Sequence, residues 1–351
     1  MNTSNTVGVD MGDKNHRVVT LDSAGEVSDR CWVSNTAPAL RKHFKSLAPC
    51  RVALEAGTHS GWVSRLLEEM GHEVLVGNPR RLRVIWDSDR KDDDRDAETL
   101  ARIARLDPKL LYPIHHRGAE AQSDLAVIKA RDMLVKTRSR LVASARGLVK
   151  TSGHRIDSCG AEVFHKRLRE KMPSDLDAAL EPMLKIIEEL TMRIRHYDKK
   201  IRTLCDEKYP ETKILREIVG VGPITALAFI LTLEHADRFK KSRDVGSYVG
   251  LTPKRDQSGQ SDKQLGITKA GNAELRRLLV GCAQYILGPF AKDCDLRRVG
   301  LKLAARGGKN AKRRAVVAVA RKLAVLMHHL WATGETYDPF FQRNAKEKKV
   351  A

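Results

Sequence analysis

The run Lys91-Asp92-Asp93-Asp94-Arg95-Asp96-Ala97 packs four aspartates into five positions of a chain whose formal net charge is +20. Carboxylates at that density repel one another unless water solvates them fully or a cation sits among them. One arrangement that fits is bland: a solvated acidic helix start, favoured by the helix dipole. The other is a site for a hard divalent cation, and for it the spacing matters, because Asp93 and Asp96 stand one helical turn apart and share a face. Two further carboxylates occur where strands are expected, Asp10 in Thr6 to Asp10 and Glu55 at the end of Arg51 to Glu55. A few carboxylates completed by water and a substrate phosphate suit Mg2+ or Mn2+. Two such ions can stabilise both the attacking and the leaving oxygen in phosphodiester transfer.

Four residues spread over so much chain need a scaffold to bring them together. Thr6 to Asp10, Arg17 to Leu21 and Val27 to Val33 read as an antiparallel meander, with Asp22-Ser23-Ala24-Gly25 as a turn. A helix over about Pro38 to Leu47, a strand Arg51 to Glu55, a helix over about Trp62 to Met70 and a strand Glu73 to Gly77 follow. The next helix begins at the acidic run, with Ala97, Leu100 and Ile103 on one face. Three meander strands, then helix, strand, helix, strand, helix is the element order of the ribonuclease H-like α/β fold. In such a sheet the first and fourth strands are neighbours, so Asp10, Glu55, Asp93 and Asp96 can converge at one sheet end.

Beyond this domain the pattern turns helical. From about Ala121 to Lys150 an apolar stripe runs through many Lys and Arg, and a second long helix carries Leu180, Met183, Ile187, Leu190, Ile194, Tyr197, Ile201 and Leu204. Alternating spacings of three and four argue for a coiled coil, which offers a dimer contact; an ordinary amphipathic helix is the alternative. After Tyr209-Pro210, the stretch Ile218-Val219-Gly220-Val221-Gly222-Pro223 fits the turn of a helix-hairpin-helix, where Gly220 and Gly222 would let backbone amides approach a phosphate. A plain helical hairpin turn is the competing reading. Then come Tyr248 to Pro253, a polar loop Lys254 to Lys269, a helix Ala273 to Leu287, basic blocks Arg276-Arg277 and Lys309 to Arg314, and a last apolar helix Ala315 to Leu330. The expected organisation is an α/β domain over residues 1–120, a helical segment over 121–209, a mainly helical domain over 210–340 and a disordered, basic tail over 341–351.

A charge of +20 and a pI near 9.8 call for a polyanionic partner, nucleic acid before a membrane surface, since the basic residues are spread along the chain. No apolar run approaches the length of a membrane span, and the start is short and polar, which makes a cytoplasmic location the expectation. The six cysteines lack C-x-x-C spacing and support neither a zinc site nor a disulfide framework. Arg276, Arg277, Lys312, Arg313 and Arg314 are candidate phosphate contacts, with solvated helix faces as the alternative. In Lys254-Arg255-Asp256-Gln257-Ser258-Gly259, a serine hydroxyl could act as nucleophile if its proton is taken and Lys254 and Arg255 offset phosphate charge. A serine before glycine is more often a turn residue, and Ser261 and Thr268 lie close by.

Taken together these stretches resemble the DEDD transposases of bacterial insertion sequences, which include Piv-like DNA invertases and bridge-RNA-guided recombinases. The resemblance rests on Gly8-Val9-Asp10, Ala53-Leu54-Glu55-Ala56-Gly57-Thr58, the acidic run from Lys91 to Ala97, Val219 to Gly222, Gly250-Leu251-Thr252-Pro253 with Ser258-Gly259, and Lys269-Ala270-Gly271-Asn272 with Leu275-Arg276-Arg277, in the family's order. It implies a RuvC-like N-terminal domain, a coiled-coil segment and a C-terminal transposase domain. It further implies magnesium ligands at Asp10, Glu55, Asp93 and Asp96, and a nucleophile at Ser258 that forms a covalent serine-DNA link. Similar recombinases pair a structured guide RNA with donor and target DNA and assemble as tetramers, a dimer of dimers acting on the nucleoid. In the third motif a small polar residue usually precedes the first aspartate and variable positions follow it; here Asp92 and Asp94 occupy such places. Two other readings compete: a RuvC-like structure-selective nuclease using water, and an architectural nucleic-acid-binding protein whose carboxylates tune its charge.

Overall fold

The computed structural model describes residues 5–82, 92–258 and 261–341, which form two compact units, Met1–Glu120 and Ala121–Ala351. In the first unit, β1 (Thr6–Met11), β2 (Asn15–Leu21) and β3 (Val27–Ser34) form the meander, and β4 (Arg51–Glu55) and β5 (Glu73–Gly77) add in parallel beyond β1. The sheet order is β3-β2-β1-β4-β5, the ribonuclease H-like arrangement, and the described residues of this unit include the α-helices α1 (Ala37–Lys45), α2 (Ser60–Glu69) and α3 (Asp93–Leu106).

The two-residue period of the strands divides these helices between the sheet faces. Val7, Val9, Val18, Val33, Val52 and Leu54 pack with Leu40 and Phe44 of α1 and with Val63 and Leu67 of α2. Ala53, on the other face, packs with Leu100 and Ala104 of α3. Burial of each such side chain contributes about 1.5–3 kcal/mol, and β4, buried on both faces at Val52, Ala53 and Leu54, is held as a central strand. Gly8 sets how closely α3 approaches, because a β-carbon there would stand 1.9 Å from the carbonyl oxygen of Ala97. Helix backbone thus rests directly on strand backbone.

The second unit opens with α4 (Ala119–Thr151), α5 (Phe164–Arg169) and α6 (Asp177–Thr203). The long helices run antiparallel: Arg131 pairs with Asp198 at 2.8 Å, and Arg138 donates to the Thr191 hydroxyl at 3.2 Å. The buried side of α6 comprises Leu180, Leu184, Ile187, Thr191, Ile194 and Ile201. The expected stripe is therefore right at Leu180, Ile187, Ile194 and Ile201 but one residue out of phase at Met183, where Leu184 is the buried residue, and at Leu190, where the seam takes the polar Thr191. Its Leu180, Leu184 and Ile187 are covered by Val142, Ala145 and Val149 of α4 and by Phe164 and Leu168 of α5.

The remaining elements are α7 (Thr212–Arg216), α8 (Pro223–Leu233), α9 (Arg243–Tyr248), β6 (Pro253–Ser258), β7 (Ser261–Ile267), α10 (Ala273–Leu287), α11 (Asp295–Ala304) and α12 (Ala311–Thr333). Their core is built on α8, buried from Thr225 through Leu233, and on Ala315, Val319, Leu323 and Met327 of α12. The helix α12 is long and apolar enough to cross a membrane, but its apolar side is occupied by this core. The expected polar loop after Pro253 is instead an antiparallel hairpin of β6 and β7, paired from Pro253–Ile267 to Ser258–Ser261. Lys91, Gly259 and the tail from Asn344 lie outside the described residues.

Candidate metal centre and serine hairpin

The sheet parity that packs the first unit also aims its carboxylates. Asp10 is two residues from Gly8, and Glu55 is two residues from Ala53, so both lie on the α3 face. The β1–β4 register runs from Thr6–Arg51 to Val9–Leu54, and Asp10 and Glu55 follow as the next residues of these adjacent parallel strands. The helix α3 runs antiparallel to β1. Near its C-terminus, the carbonyl of Ala104 accepts from Arg51 at 3.0 Å, at the strand-start end; near its N-terminus, Asp94 pairs with Arg17, which stands opposite Asp10. The acidic first turn of α3 therefore lies at the sheet end that carries Asp10 and Glu55. Close approach at Gly8 fixes Ala97, and with it the preceding Asp96.

The aspartates of the run have different surroundings. Asp92 caps α3, its side chain accepting from the amide of Asp94 at 3.1 Å. Asp93 is exposed, and Asp96 is half-buried. Asp94 binds Arg17 and lies 4.0 Å from Arg30, and the Arg17 hydrogen bond holds its carboxyl below the usual carboxylate range. Arg30 also pairs with Glu98 at 2.5 Å. Asp10, Glu55 and Asp96 each have a polar interaction of their own. Among the described residues no three His, Cys, Asp or Glu side chains stand in a ready-made metal cluster. The donor set nevertheless fits a hard divalent cation: carboxylate oxygens only, from two adjacent strands and one helix start, all at one sheet end. Arg17 and Arg30, which neutralise the surplus acid, were not singled out from the sequence; the meander register, which sets Arg17 opposite Asp10, was the signal that could have found Arg17.

In the second unit the serine stands on a different kind of support. Every residue of β6 is exposed, Ser258 included. Ser258 shares a strand face with Asp256, Arg255 and Gln257 point to the other, and Lys254 sits at an irregularity in the register. The base of the hairpin is locked by two glycine turns. At Gly250 (φ 69°) a β-carbon would meet Ala270 oxygen at 2.3 Å, and at Gly271 (φ 66°) it would meet Tyr248 oxygen at 1.9 Å. Across this crossing, the amide of Lys269 donates to Gly250 oxygen at 3.1 Å and that of Thr268 to Thr252 oxygen at 2.9 Å. Arg276 donates to the carbonyls of Val249 (3.0 Å) and Ala270 (2.7 Å), so its guanidinium braces the turns. Arg277 is paired with Asp132 at 2.5 Å, whereas Lys312, Arg313 and Arg314 are exposed on the first turn of α12. Of the two glycines before α8, Gly220 (φ 83°) packs on Cys282, Tyr285 and Ile286 of α10, and Gly222 caps α8 in open space.

A ribonuclease H-like domain whose sheet end carries acidic residues, followed by a largely helical unit, fits the class of enzymes that act on nucleic-acid phosphodiesters. Comparison with known proteins agrees. The DEDD transposase model of IS110 elements matches residues 7–153, and the model of the "Transposase IS116/IS110/IS902 family" matches residues 212–292. The chain is 30% identical over 305 residues to the putative transposase y4pF/y4sB of Sinorhizobium fredii, covering 84% of this chain and 76% of the relative. It is 28% identical over 342 residues to the transposase for insertion sequence element IS1111A of Coxiella burnetii, covering 92% of each. To the pilin gene-inverting protein of Moraxella bovis it is 25% identical over 309 residues, covering 85% of each. The chain belongs to the IS110 family of DEDD transposases. Such enzymes cut and rejoin DNA, and their DEDD domain depends on divalent metal.

Proposed function

We propose that this chain moves its insertion sequence through a serine-linked DNA intermediate, with Mg2+ or Mn2+ bound by Asp10, Glu55, Asp93 and Asp96. The observation that carries the reading is the common sheet end of Asp10, Glu55 and the acidic start of α3. A cation held there would neutralise charge on the phosphate under attack. The exposed Ser258 supplies the nucleophile: its Oγ bonds to phosphorus, its proton passes to a base or solvent, and the P–O bond to one deoxyribose oxygen breaks, that oxygen leaving protonated. Attack on the serine ester by a hydroxyl from the second DNA reverses the step and restores the serine. Lys254, Lys312, Arg313, Arg314 and the open amide end at Gly222 would attract phosphate, and the net charge of +20 suits a polyanionic partner, in this reading donor and target DNA together with a structured guide RNA. The α4–α6 helix pair would form the coiled-coil segment of a homo-oligomer; the α6 residues Leu180, Leu184 and Ile187 are covered within the chain, which directs any subunit contact to other surfaces.

The test is recombination by purified protein with donor DNA, target DNA, Mg2+ and the RNA transcribed from the sequence flanking the gene. DNA linked to Ser258 is expected after denaturation, lost in Ser258→Ala, and reduced by about a thousandfold or more in Asp96→Asn. Recombination by wild-type protein without any adduct would refute the serine step in favour of water. Full activity of Asp96→Asn would refute the metal assignment.

A further inference from the structure

We propose that Asp94, an acid outside the metal-binding set, acts as a positioning residue that holds the Arg17 guanidinium away from Asp10 and so preserves the cation affinity of the centre. The inference rests on the metal reading of Asp10 and Glu55 above.

Asp10 and Arg17 are directly opposed in the antiparallel β1–β2 ladder. Opposed residues present their side chains to the same face, with β-carbons about 4.5–5.5 Å apart. The side chain of Arg17, only 12% exposed, thus lies where a guanidinium could reach a neighbouring carboxylate and compete with a cation for it. Two contacts draw it the other way. Asp94 on α3 takes its Nε–H, and its guanidinium lies over the Trp32 ring, 5.1 Å from the centroid. Trp32 is the residue opposed to Arg17 on β3, on the side of β2 remote from β1. Arg30, 4.0 Å from Asp94, is itself tied to Glu98, so Asp94 and Glu98 together balance the two guanidiniums. Remove the Asp94 charge, and Asp92 at the start of α3 and the carboxylate of Asp10 across the strand are left to attract Arg17. An acid inside the motif would then raise metal affinity without touching the metal.

The experiment is Mn2+ binding to the full-length protein by calorimetry, with no nucleic acid present. Asp94→Asn is expected to raise the dissociation constant by on the order of tenfold. Arg17→Gln should bind as tightly as wild type or somewhat tighter, and the double variant Arg17→Gln/Asp94→Asn should match Arg17→Gln within about twofold. That rescue is the signature a merely structural ion pair would not give, since loss of the pair lowers the unfolding temperature in both single variants alike. The proposal is overturned if the double variant is as weak as Asp94→Asn alone, or if Asp94→Asn binds like wild type. Asp10→Asn serves as the control: wild-type Mn2+ binding that survives it would overturn the metal reading itself, whatever Asp94 does.

Discussion

The carboxylates and the serine are mounted in opposite ways. Asp10 and Glu55 sit on the two central strands of a sheet covered on both faces, under a helix whose backbone touches strand backbone at Gly8. Ser258 ends a strand exposed along its whole length, and only the base of its hairpin is locked. The contrast matches what each group would have to do in the proposed reaction. Metal ligands fail when displaced by a fraction of an ångström, so they belong on the part of the molecule least able to move. A nucleophile for DNA must meet a phosphate inside a bulky, charged substrate, and a projecting hairpin gives it access that a sheet end could not. At about 3.3 Å per residue, the five steps from Pro253 to Ser258 carry the hydroxyl roughly 16 Å from the glycine turns.

Two glycines let this contrast be broken selectively, and they carry the largest expected effects. Gly8→Ala forces a β-carbon against Ala97 oxygen and should destabilise the protein by about 3 kcal/mol, lowering the urea midpoint and weakening Mn2+ binding as α3 is pushed off β1. Gly271→Ala meets Tyr248 oxygen in the same way, at a φ that alanine resists. It should cost a similar amount, yet leave Mn2+ binding intact while the serine-DNA adduct is lost. If both substitutions impair metal binding equally, the two mountings are not independent.

How much of this was legible beforehand differs between the regions for a physical reason. In the first unit, burial writes itself into the chain as apolar runs, and β4, β5 and the ribonuclease H-like order were readable from Arg51–Glu55 and Glu73–Gly77. The helix α10 was likewise readable over Ala273–Leu287. The strand β6 of the hairpin was not, because a strand with no buried face carries no apolar alternation, and Lys254-Arg255-Asp256-Gln257 looks like any polar loop. The phase of α6 slipped for a related cause: Thr191 lies in the seam because its hydroxyl accepts from Arg138 and donates to Ile187 oxygen at 2.8 Å, so counting apolar residues alone shifts the stripe. The acidic run was read as two ligands with two bystanders. Neither bystander is idle, since Asp92 caps the helix and Asp94 holds Arg17.

That cap gives a smaller effect and sharpens the register of the metal centre. Asp92 has extended backbone and accepts from the Asp94 amide, an arrangement whose removal costs about 1 kcal/mol. Asp92→Ala should therefore lower stability by that amount in a urea titration, and Asp92→Ser should restore most of it. Mn2+ affinity should change little in either. If serine restores stability but Mn2+ binding stays lost, Asp92 is a ligand, and the motif must be read one residue earlier.

The smallest effect is in the second unit, just after the turn that locks the serine hairpin. Glu274, in the first turn of α10, has a buried Oε1 with no hydrogen-bond partner among the described residues. Burial, and then the neighbouring Asp132, push its carboxyl above the usual range, against the opposing pull of Lys129, Arg277 and Lys136. A carboxyl whose pKa is higher in the folded than in the unfolded chain favours folding while protonated in both. That contribution is present below the ordinary carboxylate range and is lost as pH rises through the folded value. Glu274→Gln should therefore raise the unfolding temperature by a few degrees at neutral pH and by nothing near pH 4. An equal gain at both pH values would mean that the substitution acts through packing, and that the second unit holds no strained acid to set beside the ion-paired acids of the first.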